Sequence, residues 1–164
     1  MAEFDLKKMT TNDWILAGGC LAVFIGVFLK WFAVGGGTES FGGITVGIPE
    51  FSVNGFHYFL QGTIPWILAI AILAVLILRK FVPDVKLPDQ VGNFSWNQVI
   101  LGASGLAALL VLSRLLTGDH STDRKLGLFL ASLGVAAMVV GAFLKYQAKE
   151  DDAGSAPSGP PTSF

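Results

Sequence analysis

Cysteine occurs once in the 164 residues, at Cys20. That excludes an intrachain disulfide and a cysteine-cluster metal site, and it leaves the redox compartment unread. Charge is scarce as well. Only 14% of the residues are Asp, Glu, Lys or Arg, where an average soluble domain carries roughly a quarter. So little charge cannot coat a globular surface. The formal net charge is −1, which supplies no basic field for nucleic acid and no acidic bias. Histidine occurs twice, at His57 and His120. No GxSxG, HExxH, P-loop or dinucleotide fingerprint is present. These gaps remove the common catalytic classes and predict a non-enzymatic chain that needs no cofactor.

Apolar sequence fills the space. Hydrophobic residues make up 52% of the chain, in runs at 15–29, 64–78, 99–112 and 126–144. A helix crossing about 30 Å of hydrocarbon needs roughly 20 residues. With their flanks the runs predict four membrane spans, at about 14–32, 56–80, 96–116 and 125–146. Trp14 and Trp31-Phe32 suit the two interfaces of the first span. Ser95 is the expected N-cap of the third, and Gly118 its C-terminal stop. The second run is too short alone. Extending it backwards puts Pro65 inside a helix kinked near Gln61. The alternative starts at Thr63, with Pro65 in the first turn, and ends near Val82.

Cys20 follows small residues in "WILAGGCL", downstream of Lys7-Lys8, as the cysteine of a lipoprotein signal would. That signal needs its apolar core before the cysteine. Here the strongest run, "LAVFIGVFL", lies after it. Cys20 is therefore expected to be an uncleaved, small packing residue.

Basic residues favour short cytoplasmic segments. Lys7, Lys8, Arg79, Lys80, Lys86, Lys145 and Lys149 fall on the terminal side, against Lys30, Arg114, Arg124 and Lys125 on the other. The predicted protein is a multi-pass plasma-membrane protein with both termini cytoplasmic. Residues 1–13 form its N-terminal segment and 14–148 its transmembrane domain. Residues 149–164, "EDDAGSAPSGPPTSF" after Lys149, form a tail too poor in apolar surface to fold alone. Pro83 and Pro88 mark the middle loop as an extended linker.

The first loop, "AVGGGTESFGGITVGIPEFSVNGFH", alternates apolar and polar residues over Ile44, Val46, Ile48 and then Phe51, Val53. It predicts a small extracytoplasmic β-hairpin, with Pro49-Glu50 between the runs and Asn54-Gly55 as a turn. Two strands are marginal alone. The apolar face, with Ile44, Val46, Ile48 and Phe51, should rest on helix ends, lipid headgroups or a docked protein.

Lipid gives little hydrophobic gain for helix pairing, so small residues carry the contact. Gly127, Gly134 and Gly141 repeat every seven residues, with Ala131 beside them. The third span offers Gly102, Ala103, Ser104, Gly105, Ala107 and Ala108. The short loop between these spans predicts that they pack on each other along those faces, with a dimer seam or partner groove as the alternative. Gly18, Gly19 and Gly26 offer the first helix a similar face.

No Asp, Glu, Lys, Arg or His lies near the centre of a span. Lys30, Arg79, Arg114 and Lys145 sit at ends, where snorkelling to the interface is expected. Glu39, Glu50, His57, Asp119, His120 and Asp123 are read as solvated loop polarity, since their spacing fits no metal motif.

The order "FLKWF", "SFGGITVGIPEFSVNGFHYF" and "RKLGLFLASLGVAAMVVGAFL", over about 14–145, resembles the small four-helix membrane proteins of unknown function found in bacteria, particularly actinobacteria. The resemblance implies a plasma-membrane location and no activity. The topology is also similar to that of claudins, but the cysteine pair of the claudin first loop is absent, so no claudin function is carried over. The expected role is a non-catalytic accessory subunit or scaffold of a plasma-membrane or envelope complex. A partner membrane protein or a homo-oligomer would join the lipid bilayer as its surroundings. The alternative is a small transporter or homo-oligomeric channel.

Overall fold

In the computed structural model, residues 9–82, 88, 90–117 and 123–148 are described. Lys7, Lys8, Pro83, Lys86, Gly118, Asp119, His120 and the tail from 149 lie outside them, so the readings made there stand as expectations.

Four helices dominate: α1 Thr11–Phe28, α2 Ile64–Phe81, α3 Trp96–Leu116 and α4 Leu126–Ala148. Each belongs to a segment long and apolar enough to cross a membrane, the second segment being Phe59–Phe81. The chain is therefore a multi-pass membrane protein by length and composition. Capping boxes start two helices. The Thr10 hydroxyl accepts from the Asp13 N–H while the Asp13 carboxylate accepts from the Thr10 N–H. Ser95 and Gln98 do the same for α3, which is the expected cap.

Among the described residues are seven short strands: β1 Lys30–Val34, β2 Gly37–Phe41, β3 Ile44–Ile48, β4 Phe51–Asn54, β5 Gln90–Val91, β6 Phe94–Ser95 and β7 Asp123–Arg124. The first helix lies earlier than expected, starting at Thr11 and not at 14 and ending at Phe28 and not at 32. Trp31 and Phe32 are not helix flanks; they lie in β1, the centre of a sheet ordered β4-β1-β7. The cause is tertiary. The buried Trp31 indole turns back to donate to the Gly26 carbonyl at 2.9 Å, one of the last α1 carbonyls left without an intrahelical partner. The chain then runs extended to pair with Phe51–Asn54 and with Arg124 and Asp123.

The second span is one helical segment, Phe59–Phe81, with Pro65 inside it as expected. It begins as a π-helical stretch, Phe59–Thr63, and turns α-helical at Ile64, so Pro65 lies in the first turn of α2 where the ladder changes from one type to the other. The hairpin also pairs differently from the expected one. β3 pairs with β2, not with the Phe51 strand, through the turn Gly42-Gly43. Those two glycines have φ of 59° and 86°, the left-handed values that a two-residue hairpin turn requires at both centres.

The helices run antiparallel in sequence order. The start of α1 and the ends of α2 and α4 meet through ion pairs at one end of the bundle. The three-stranded sheet closes the other end over Trp31, Phe32 and Ala33. The core between them is built from Leu16, Val23, Val27, Val111, Leu128, Val135 and Met138, all fully buried.

Candidate functional site

The small residues come first. α3 and α4 are neighbours as expected, but the glycine face of α4 does not meet α3. It meets α1. A Cβ at Gly134 would lie 2.7 Å from the Val23 nitrogen, and one at Gly141 2.7 Å from the Leu16 nitrogen. At Gly127 it would meet the Lys30 carbonyl at 2.7 Å. The contact is reciprocal. A Cβ at Gly26 would lie 2.8 Å from the Ala131 nitrogen, and one at Gly19 2.7 Å from the Gly134 carbonyl. Leu16, Gly19, Val23 and Gly26 on one helix, and Gly127, Ala131, Gly134, Met138 and Gly141 on the other, follow the alternating three-four spacing of two interlocked helices. Gly102 and Gly105 make no such contact; a Cβ at either meets nothing within 4 Å. Their face of α3 is open, which corrects the expected α3–α4 seam.

The ion-pair end holds residues that sequence reasoning passed over. Asp13 is fully buried in the first turn of α1. Its carboxylate accepts from the Lys145 ammonium of α4 and lies 3.2 Å from the Lys80 ammonium of α2. Lys145 is 1% exposed, so it is not a snorkelling anchor. The arrangement suits the helix dipoles: an anion at a positive helix start, cations at two negative helix ends. The Thr10-x-x-Asp13 capping box was readable. Nothing local pointed Asp13 at Lys145, 132 residues away.

At the sheet end, Arg114 stands over two rings, 4.0 Å from the Tyr58 centroid and 4.9 Å from that of Phe32. It is packed as a cation on aromatic faces, where a snorkelling anchor was expected. Below it, Phe24, Phe28, Phe56 and Trp66 form a cluster with centroids 5.0–6.3 Å apart.

The β2–β3 hairpin is the most unusual element. The register sets Phe41 opposite Ile44, Glu39 opposite Val46 and Gly37 opposite Ile48. Cross-strand partners share a face. One face therefore carries Phe41, Ile44, Val46 and Ile48 together with Glu39 and Gly37, and the other Thr38, Ser40, Thr45 and Gly47. The apolar face is not packed on the bundle: these four side chains are 85%, 69%, 56% and 42% exposed. Phe51, in β4, is 74% exposed. Phe41 falls outside the expected hairpin because that hairpin turns at Pro49-Glu50; Gly42-Gly43 between alternating residues is the signal that finds it.

Among the described residues no group of three or more His, Cys, Asp or Glu is placed to hold a metal ion. Glu50 bridges Lys30 at 3.2 Å and Lys125 at 3.9 Å instead, and Lys125 also reaches Asp123 at 3.8 Å. Cys20 is buried inside α1. Comparison of the chain with protein-family models, curated proteins and solved structures finds no match.

Proposed function

We propose that this protein is a non-catalytic accessory subunit or scaffold of a plasma-membrane or envelope complex, with both termini cytoplasmic and the hairpin on the opposite side. The observation that carries the reading is the apolar face of the β2–β3 hairpin. Four large apolar side chains stand off the bundle on a two-stranded ribbon whose other face is polar. Exposed apolar surface on one face of a small element is the mark of a protein-interaction site. The open Gly102–Gly105 face of α3 gives a second place where another helix fits closely. The orientation follows from the distribution of Lys and Arg.

The test is purification of the tagged chain from its native membrane in mild detergent, with stoichiometric companions identified by mass spectrometry. The double variant Phe41→Ser, Val46→Thr should lose a companion while the protein itself stays folded. A clean monomer or homo-oligomer would overturn the subunit reading.

It would favour the second reading, a small transporter or channel, which has its own support. Asn97 and Ser104, seven residues apart on α3, are buried with side-chain atoms that make no hydrogen bond among the described residues. Buried polar groups without partners are rare unless water or a solute reaches them. Flux in liposomes would then decide.

A further inference from the structure

An open cavity of about 430 Å³ lies where α1 leaves the bundle, lined by Phe28, Lys30, Ser52, Val53, Asn54 and His57. We propose that it seats the phosphate of a membrane phospholipid, whose acyl chains run down the aromatic face of α1 and α2.

The depth fits. Phe28 is the last residue of a membrane-spanning helix and Lys30 opens the strand that follows. The cavity thus sits where hydrocarbon gives way to headgroups. A lysine at this level can keep its stem on apolar surface and its ammonium at the phosphate. The chemistry fits as well. The lining carries one fixed cation, Lys30, and no carboxylate. Ser52, Asn54 and His57 add side chains able to donate hydrogen bonds to phosphate oxygens. Beneath them Phe24 stacks on Trp66 at 5.7 Å and Phe28 meets Phe56 edge-on at 5.0 Å. Phe24 and Phe28 remain 37% and 54% exposed, which offers acyl chains a rigid apolar wall directly below the cation.

Glu50 is the competitor. It lies outside the cavity and holds Lys30 at 3.2 Å. The Lys30 side chain is 63% exposed, so a phosphate arriving from the membrane can share or take its ammonium. Glu50 keeps its second cation, Lys125, at 3.9 Å. This sets two substitutions in opposition. Removing the cation weakens the lipid; removing the competing carboxylate strengthens it. A role limited to the Lys30–Glu50 salt bridge moves both variants the same way.

The experiment is native mass spectrometry of the full chain in neutral detergent. It is titrated with dioleoylphosphatidylglycerol, or with dioleoylglycerol, which has the same chains and no phosphate. The wild-type chain should retain the phospholipid and not the diacylglycerol. Lys30→Gln should lower the bound fraction about tenfold, the effect of losing one charge-assisted hydrogen bond, and Lys30→Arg should keep it. Glu50→Gln should raise it about threefold, a fraction of one such bond. Equal retention of the two lipids overturns the proposal, as does a Glu50→Gln variant that binds no better than wild type. Inorganic phosphate at the same concentration should displace none of the lipid; full displacement would mark a free-anion site and overturn the lipid assignment. Companion proteins are scored separately in the native-membrane purification, so loss of the subunit reading leaves this outcome readable.

Discussion

At the scale of single residues, two side chains do what their local sequence does not announce. Lys145 and Asp13 form a buried ion pair that joins the end of α4 to the start of α1. Removing Lys145 leaves the buried Asp13 carboxylate with Lys80, 3.2 Å away, as its remaining cation. Lys145→Met is expected to cost about 1–3 kcal/mol, less than an uncompensated buried charge would, read as a loss of thermal stability in detergent. Adding Asp13→Asn should recover part of that loss, because the charge left behind is then gone. A double variant no more stable than the single would count against the pair. Trp31 is the second case. Its indole closes the end of α1 on the Gly26 carbonyl. Trp31→Phe keeps most of the buried ring and removes the donor, so a loss of about 1 kcal/mol is expected in the same melt.

At the scale of elements, the α1–α4 contact and the hairpin have opposite tolerances. Backbone meets backbone at Gly134, so any side chain there pushes two helices apart. Gly134→Leu should destabilise the bundle by at least about 1–3 kcal/mol, the usual cost of overpacking. Gly105→Leu on the open face of α3 should leave the melting temperature of the isolated protein nearly unchanged, since its Cβ meets nothing within 4 Å. If Gly105→Leu nonetheless releases a companion protein from the native membrane, that face of α3 is its binding surface. In the hairpin, Gly43 has a φ of 86°, so Gly43→Val should unsettle the turn and raise protease cleavage within 37–48, with the bundle intact. Unchanged cleavage would mean that the ribbon is held by something other than its turn.

At the scale of the whole molecule, the two ends of the bundle are built differently. One is locked by charge, with Asp13, Lys80 and Lys145 drawing three helices together. The other is closed by a sheet in which β1 joins strands from either side of α2 and α3. The sheet and the aromatic cluster beneath it make a firm base for a hairpin that touches little else. On the proposed subunit role, the exposed ribbon is the docking element. Deleting 37–48 and joining the ends with two glycines should preserve the melt of the bundle and abolish companion capture in the native-membrane purification. Capture that survives the deletion would move the interface to the helices.

The spans, their number, the α3 bounds and its Ser95 cap were legible in the sequence. So were the small-residue face of α4 and the presence of a hairpin in the first loop. All of these depend on length, apolar content, capping and spacing, which act over a few residues. The rest was decided by tertiary structure. The choice of α1 over α3 as partner for Gly134, the end of the first helix at Phe28 and the burial of Lys145 each depend on chain segments far apart in sequence. A glycine stripe states that something approaches closely without saying what. A lysine near a helix end reads as an anchor until a carboxylate from another helix occupies the same space. Local sequence determined which segments are long and apolar enough to cross a membrane; long-range packing decided which faces meet and which stay open.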